Sequence, residues 1–487
     1  MAAAVSDWPV PIWLVPAIPA LSSLFLVLLG NSRVAFGVNA ASSFASVLAV
    51  LASLASAPSA WWLTDALSHS AALLIAWVGF AVSIVCLGDR REHAEQSTLI
   101  LRYRRLSCAI YQALLAVLSV AVLAKNFVFA AVALELGAVL FAVLIALGEN
   151  PKAMPVAWRF FIANAALFMI GLLGIAGLYA AHRGSWSGDW QAMGWAELQK
   201  AATEGTSPAA HFGLIAILVG FGGLATLMPF HAHALDVADT APAPISIGLM
   251  IAWVSVPLNV LMRLQPILAA QTGAGPTRLS VLGFGLFSLV FGCVAALRTI
   301  SLNRFLALSL VQYTGLTLAA FGLGSRGAIG GLLQFGVHTL LKTSLLPCIK
   351  RGSARNSKMG VTGNGANLAA AHCWRFVFAL NMLALAGLPP FGGFAAWVII
   401  ATAGAKTLPW VLVPLAAGGW LSGLAVMYRL RGFWSAPASS GQHAGKPGFA
   451  SVEIVLSLLS LSAALLAGIA LPSAVYRWLE NIALLVR

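Results

Sequence analysis

The sequence predicts an all-α polytopic membrane protein with about fourteen transmembrane helices. Sixty per cent of its 487 residues are hydrophobic and nine per cent are charged, and its mean hydropathy is +0.92. This composition is typical of a chain that lies in lipid. Apolar runs of about 18–25 residues, long enough to cross a bilayer, recur along the chain. Two of these runs are interrupted by proline.

The apolar runs define the individual spans. We place them near residues 11–30, 34–55, 69–88, 107–125, 127–148, 156–181, 211–229, 243–263, 277–297, 305–323, 328–349, 374–404 (broken), 408–429 and 451–471. A polar segment, 183–208, separates the sixth span from the seventh. The C-terminal AVYRWLENIALLVR is amphipathic and is expected to lie along the membrane interface.

The basic residues predict the orientation of the chain. If the N-terminus lies outside, most of the 28 basic residues fall in loops after odd-numbered spans, on the cytoplasmic side. This excess agrees with the positive-inside rule. We therefore expect a multi-pass protein of the cell inner membrane with both termini on the outer, periplasmic side.

The net charge of +14 does not indicate a nucleic-acid-binding protein, because the basic residues lie in short loops rather than in a polar domain. The five cysteines are scattered, without a CxxC pair or a histidine–cysteine cluster. We therefore expect no metal site, no cofactor and no redox centre in this chain.

The first interrupted span, at 211–246, combines a membrane-length helix with a polar break. Pro229 ends the apolar run, and His231 and Asp236 follow before hydrophobicity resumes. A helix broken inside a bilayer frees backbone groups that lipid cannot satisfy, and such helices mark the transport site of ion-coupled transporters. The alternative is an ordinary proline kink.

The second interrupted span, at 381–400, carries the sequence GLPPFGGF, in which Pro389 and Pro390 are adjacent. One broken helix in each half of the chain suggests an internal repeat around a transport path.

Three ionisable residues lie within predicted spans and are our candidates for proton transfer. Glu135 is central in AAVALELGAVLFAVL, and His338 and Lys342 lie four residues apart in QFGVHTLLKTSLL, on one helix face. Intramembrane ionisable residues are functional by default. The alternatives are a protonated or paired carboxylate for Glu135 and a lysine that reaches the membrane surface for Lys342.

Two further charged residues, Arg159 and Asp65, have predicted structural or electrostatic roles. Arg159, in AWRFFIANA, stays charged, so it can act as the electrostatic partner of Glu135 or anchor the interface, but it cannot relay protons. Asp65, in WWLTDALSHS, is expected to cap the third span.

These segments resemble the antiporter-like membrane subunits shared by respiratory complex I, Mrp antiporters and membrane-bound hydrogenases. The likeness is greatest to the F subunit of hydrogenase-4. The matching pieces are LTDALS, the span around Glu135, AWRF, GFGGLATLMPFHAHALDVADTAPAPIS, NRFLALSLVQYTG, HTLLKTSLL and LALAGLPPFGGF.

The resemblance implies two inverted repeats of five helices, each with one broken helix. The first repeat would cover residues 107–263 with its break near 229, and the second 277–430 with its break near 389. Residues 1–106 would form N-terminal helices, and 431–487 a C-terminal helix and an interfacial tail. The family fold also implies a central polar axis of glutamate, lysine and histidine.

The chain departs from that pattern at several positions: Arg159 stands for the usual lysine of its motif, Gln312 and Tyr313 stand where the tenth span has a histidine or polar partner, and two further departures remove a titratable side chain. Where the family has a lysine at the first broken helix, this chain has Leu224, and where the family has a charged residue after the second break, it has Trp397. Neither side chain can exchange a proton. The resemblance therefore implies a proton pathway that is partly degenerate.

Four functions follow as hypotheses. The first is a membrane subunit of an ion-translocating oxidoreductase complex of the hydrogenase-4 or complex I type, with other membrane and peripheral subunits as partners. The others are a non-conducting structural subunit, the membrane half of an inorganic-carbon uptake system with a soluble zinc-containing partner, and an Mrp-like cation/proton antiporter.

Overall fold

The computed structural model describes residues 10–29, 32–57, 59–88, 98–148, 150–181, 193–201, 208–242, 244–353, 368–434 and 450–485. Most of the polar segment 183–208, and most of the glycine-containing stretch 352–370, lie outside the described residues. Within the described part of the chain the secondary structure is helical, apart from two isolated β-bridges.

The helices, in chain order, are α1 Leu14–Leu28, α2 Ser32–Ala52, α3 Ala66–Gly88, α4 Thr98–Leu123, α5 Phe127–Ala146, α6 Ala153–Ala181, α7 Trp195–Ala201, α8 Pro208–Leu224, α9 Ala232–Thr240, α10 Met250–Thr272, α11 Ala274–Arg298, α12 Leu302–Phe321, α13 Gly324–Ser353, α14 Leu368–Leu385, α15 Gly392–Thr407, α16 Leu412–Trp434, α17 Ala450–Ile469 and α18 Ser473–Leu485. A short π-helix, Pro244–Leu249, leads into α10.

The prediction of a polytopic bundle is confirmed. Eleven helices of the described chain are long and apolar enough to cross a membrane, and three shorter apolar helices occupy the remaining predicted spans. The short α7 was not predicted, because it lies within a segment that is polar overall.

Two groups of five spans form the bulk of the bundle. The first group is α4, α5, α6, the broken pair α8/α9, and α10. The second group is α11, α12, α13, the broken pair α14/α15, and α16. The exact residue limits given above for the two repeats stay a prediction.

The two breaks have the same backbone design. Leu224–Phe230, LATLMPF, and Leu385–Phe391, LAGLPPF, follow the same order of residue types. The third residue of each is left-handed, with φ of 63° at Thr226 and 76° at Gly387, and each break contains a cis X–Pro bond. The turn hydrogen bonds also correspond position by position. The break is therefore an internally repeated structural element.

An aromatic donor on a neighbouring helix satisfies the last carbonyl before each break. Trp253 Nε1 of α10 donates to Leu224 O at 3.2 Å, and the Tyr313 hydroxyl of α12 donates to Leu385 O. A broken helix inside the membrane leaves carbonyls that lipid cannot satisfy. These two side chains supply the donors that lipid lacks.

Candidate functional site

A stripe of polar side chains lies along one face of α13. Gln334, His338 and Lys342 are spaced four residues apart, which places them one above another on the helix. They are 3%, 1% and 1% exposed. The interpretation of Lys342 as a lysine that reaches the membrane surface is wrong, since its side chain is completely enclosed.

Helix α12 forms the wall opposite this stripe. The Tyr313 and His338 rings lie with their centroids 4.1 Å apart, and Lys342 Nζ donates to the Leu306 carbonyl. Tyr313 also bonds the second break. One phenol therefore contacts both the histidine and the broken helix, and the lysine is held two turns away on α12, by the Leu306 carbonyl.

Several polar atoms in this region have no hydrogen-bond partner among the described residues. Both ring nitrogens of His338, Gln334 Oε1 and Asn381 Oδ1 are buried without a hydrogen bond. Buried polar groups without any partner are rare, and each needs a reason such as ordered water or a functional role. This concentration distinguishes the neighbourhood of α13 from an ordinary apolar core.

The equivalent region of the first repeat is filled by aromatic rings. Leu224 is 1% exposed, and Trp253 bonds its carbonyl. The rings of Phe141, Phe160 and Trp253 pack together, with centroid separations of 5.1 to 6.1 Å. These three rings carry no titratable group at the position where the family resemblance implies a lysine. The buried His233 of α9 lies against Phe160, with ring centroids 5.7 Å apart.

Trp397 of α15 packs against the second break. A Cβ placed on Gly387 would lie 3.5 Å from its Cδ1, and one on Gly419 of α16 would lie 3.7 Å from its six-membered ring. The indole therefore fills the space between the left-handed turn and α16, at the second position where the resemblance implies a charged residue.

Glu135 lies apart from His338 and Lys342. The main packing partners of its helix, α5, are α4 and α6. The inner face of α5 carries Gly137 and Phe141, next to Trp253. Glu135 is half-buried on the opposite side. Our expectation that these three side chains share one polar interior therefore holds for the pair on α13 and not for Glu135.

Arg159 is an electrostatic partner, but its partner is Asp236 rather than Glu135. Its Nη1 lies 3.1 Å from Asp236 Oδ2 on α9. One turn further along α9, Asp239 binds Arg304 of α12 at 2.6 Å from Nε. The helix after the first break thus links an arginine of the first repeat to an arginine of the second.

His231, at the first break, lies outside the polar stripe. Its Nδ1 is 3.3 Å from the Pro229 carbonyl, and its ring makes an edge contact with Phe291 at 6.4 Å. It is partly exposed, and its contacts with described residues are with its own turn and with α11.

Asp65 caps α3 as predicted, and it also binds Arg263 of α10. Its carboxylate accepts from Ser68 N at 2.8 Å and from Arg263 Nη2 at 2.8 and 2.9 Å. Burial by itself raises the pKa of the Asp65 carboxyl. The Arg263 guanidinium and the Ser68 hydrogen bonds outweigh burial, so this pKa lies below its ordinary value. The pair ties α3 to the first repeat at the end opposite Arg159.

The sequence analysis did not identify Gln334, the hydrogen bond from Tyr313 to the second break, or Arg263 as the partner of Asp65. Gln334 was detectable, because it precedes His338 by one helical turn. The repeated segments LATLMPF and LAGLPPF were detectable by comparing the two halves of the sequence. The Asp65–Arg263 pair joins positions far apart in the chain, and no local pattern reveals it.

Comparisons with known proteins agree with this architecture. Residues 124–424 match the family model described as NADH:quinone oxidoreductase/Mrp antiporter, transmembrane. A hydrogenase-4 component F homolog from Methylacidiphilum infernorum is 26% identical over 409 residues, which cover 82% of this chain and 85% of the relative.

Two solved structures have the same fold at low identity. A chain of the archaeal membrane-bound sulfane sulfur reductase aligns with a TM-score of 0.80 at 18% identity, over 98% of this chain and 97% of the other. A chain of respiratory complex I from Thermus thermophilus aligns with a TM-score of 0.78 at 17% identity, over 98% and 100%.

Proposed function

Because this chain belongs to the NADH:quinone oxidoreductase/Mrp antiporter transmembrane family, we propose that it is a membrane subunit of an ion-translocating oxidoreductase complex of the hydrogenase-4 or complex I type. Its proton-exchanging groups are in the second repeat, on α13. Other subunits carry the redox centres, and this chain moves protons when they turn over.

The buried pair on α13 is the observation that carries the proposal. Lysine and histidine can release a proton in a protein, whereas arginine cannot. His338 and Lys342 are one helical turn apart, fully enclosed, and beside a broken helix. Neither ring nitrogen of His338 has a hydrogen-bond partner in the part of the chain that the structure describes. A water molecule that bridges the two side chains would complete the transfer path, and the unpartnered polar atoms beside them are groups to which it would bond.

The first repeat contributes differently. Leu224, Phe141, Phe160 and Trp253 are not titratable, and Trp397 is not titratable either. The buried His233 lies against Phe160, but no described lysine is buried beside it. We therefore place proton exchange in one repeat only, so a complete pathway has its entrance and exit on the α13 side of the molecule.

We also propose that the chain is oriented in the membrane with both termini on the periplasmic side. Arg159 and Arg304, which bind α9, and Arg429, which binds the Ile300 carbonyl, lie at one end of the bundle. Basic residues favour the cytoplasmic end. Labelling of single cysteines placed at each terminus from outside intact cells tests the orientation, and labelling only after lysis contradicts it.

Proton translocation by the reconstituted complex tests the function. In proteoliposomes with a pH-sensitive dye inside, Lys342→Leu should lower the number of protons moved per electron while electron transfer continues. Lys125→Leu is the matched control, because Lys125 is exposed at the end of the bundle and its loss should leave the ratio unchanged. An unchanged ratio in Lys342→Leu contradicts the proposal.

A non-conducting structural subunit is the second candidate, and the aromatic cluster at Leu224 favours it. In that case both Lys342→Leu and His338→Leu leave the proton ratio at its wild-type value. The same assay therefore separates the two functions.

A further inference from the structure

The sequence has no acidic side chain between Asp239 and Glu453. The same range contains fifteen lysines and arginines and includes all of α11 to α16. Two of these cations have carboxylate partners outside the range, since Arg263 binds Asp65 and Arg304 binds Asp239. Any other cation of the second repeat must find its counter-charge elsewhere in the molecule or outside the chain.

Arg429, near the end of α16, is held in place by two contacts that leave its charge uncompensated. Its Nη1 donates to the Ile300 carbonyl in the turn between α11 and α12. Its guanidinium lies 5.5 Å from the centre of the Phe305 ring. Neither contact supplies a negative charge, and arginine stays charged in proteins.

The other edge of the Arg429 guanidinium has no acceptor. Its Nε and Nη2 are buried and have no hydrogen-bond partner among the described residues. These two nitrogens form the edge whose parallel N–H bonds match two oxygens of a phosphate or a carboxylate. Buried charges in proteins are normally paired. The edge is therefore directed at an anion that the second repeat itself does not contain.

An apolar surface adjoins Arg429 on the outside of the bundle. Helices α11 and α16 pack directly on each other, and Cys293 Sγ donates to the Gly418 carbonyl at 3.3 Å. Their apolar residues nearest this end of the bundle are between 37% and 66% exposed; they are Phe291, Val294, Leu424, Met427 and Tyr428. The exposed Arg298 ends α11, two residues before Ile300. We call these residues and Arg429 the α11/α16 surface.

We propose that the α11/α16 surface binds an anionic phospholipid. The lipid phosphate accepts hydrogen bonds from Nε and Nη2 of Arg429, Arg298 adds a second positive charge, and the acyl chains lie along α11 and α16. The inference requires only that the chain lies in a membrane, so it stands or falls independently of proton transfer.

The shape of the surface selects a lipid over an acidic protein segment. A phospholipid places oxygens at the depth of its headgroup and hydrocarbon below them, and basic pockets between membrane helices bind such headgroups. Residues 412–428 contain no charged side chain, so α16 matches hydrocarbon along that length. Tyr428, next to Arg429, belongs to a residue type that is enriched at the boundary between hydrocarbon and headgroups.

A second copy of the chain does not offer the required anion. In the described part of the chain, the acidic residues at this end of the bundle are ion-paired or buried; they are Asp236, Asp239 and Glu453. A copy that used one of them would have to give up an existing contact. A phospholipid brings its phosphate without that loss.

Lipid titration of the purified full-length protein tests the proposal. The protein is stripped of lipid in detergent and titrated with phosphatidylglycerol or phosphatidylcholine, and native mass spectrometry counts the bound lipids. We expect wild type to prefer phosphatidylglycerol, and Arg429→Gln to weaken the tightest phosphatidylglycerol site roughly tenfold. Lys406→Gln is the control, because it removes an exposed charge from the other end of the bundle, and its affinity should equal that of wild type.

Three outcomes of this titration overturn the proposal. They are equal affinity of wild type for the two lipids, unchanged phosphatidylglycerol affinity in Arg429→Gln, and displacement of the lipid by inorganic phosphate, which would mark a site for free phosphate. Thermal unfolding shows whether Arg429→Gln is folded. If it is not, Arg429→Lys takes its place, because it keeps the charge and removes the paired N–H edge, and unchanged affinity in that variant overturns the proposal.

Photo-crosslinking in native membranes identifies the occupant of the surface. The photoreactive amino acid p-benzoylphenylalanine replaces Met427, which is 47% exposed beside Arg429. We expect its adducts to be phospholipids, and we expect fewer phosphatidylglycerol adducts when Arg429→Gln is added. Adducts to an acidic segment of another polypeptide, or to a second copy of the chain, overturn the proposal.

Discussion

The two broken helices share a backbone and differ in what surrounds them. Leu224–Phe230 and Leu385–Phe391 have the same hydrogen-bonded turn, the same left-handed position and an aromatic donor on the last carbonyl. Aromatic rings enclose the first break, whereas a stripe of glutamine, histidine and lysine on α13 faces the second. The two repeats thus share the backbone device, while among the described residues a buried lysine lies beside the second break and not beside the first.

The breaks also differ in how they are covered. The first is buried throughout Leu224–Met228, and Ser288 Oγ of α11 accepts from Met228 N at 3.1 Å. The second is partly exposed, with Leu388 at 36%. It borders an apolar groove of about 740 Å³ against α17. Irregular backbone at membrane depth must be covered by protein, which gives α17 a structural role that the first break does not require.

A lysine introduced at the first break is expected to change the stability of the protein most. Leu224→Lys places a charge among Phe141, Phe160 and Trp253, and we expect a loss of about 3 kcal/mol or more in unfolding free energy. Leu224→Met, which conserves volume, should cost less than about 1.5 kcal/mol. The measurement is the midpoint of thermal unfolding in detergent. Equal midpoints for the two variants would mean that the first repeat is polar enough to hold a charge.

The second-largest expected change in stability concerns the packing of α17 on the second break. Gly468 of α17 contacts the Pro390 carbonyl so closely that an added Cβ would overlap that oxygen. Gly468→Ala should therefore destabilise the protein by about 1–3 kcal/mol. Gly423→Ala in α16 is the control, because nothing lies within 4 Å of its Cβ position. The two variants are compared by thermal unfolding, and equal stability would contradict a covering role for α17.

The smallest expected change in stability concerns the residue in the left-handed conformation at each break. Thr226 has φ of 63°, a conformation that costs a β-branched residue of order 1 kcal/mol. Thr226→Gly should stabilise the protein by about 1 kcal/mol, and Gly387→Thr should destabilise it by a similar amount. Thermal unfolding of both variants checks this reciprocity. Stabilisation by Gly387→Thr would show that the two turns are not equivalent.

The hydrophobic pattern was sufficient to predict the helices but not their rotation about their own axes. Every predicted span corresponds to an apolar helix, because bilayer thickness fixes the length of an apolar run. The four-residue spacing of His338 and Lys342 placed them on one face because a helical turn dictates it. Glu135 stands alone in its span, so no spacing could reveal that it faces outward.

Contacts between residues far apart in the chain could not be predicted from the sequence, for a related reason. The Asp65 cap is local, and the sequence predicted it correctly. The salt bridge from Arg263 to that same carboxylate depends on how α3 and α10 pack. The substitution of lysine by Leu224 was visible from the family resemblance, but the aromatic rings that fill the site come from α5, α6 and α10, and their meeting is a property of the fold.

Hydroxyl-radical footprinting of the intact protein tests most directly whether the second repeat alone holds a water-accessible interior. Radicals generated from bound water modify aromatic rings beside that water. Tyr313 lies against His338, and Trp253 lies in the aromatic cluster at Leu224. Both rings are buried, at 2% and 0% exposure. We predict rapid modification of Tyr313 and protection of Trp253. Modification of Trp253 at the rate of Tyr313, or protection of both rings, would contradict the account.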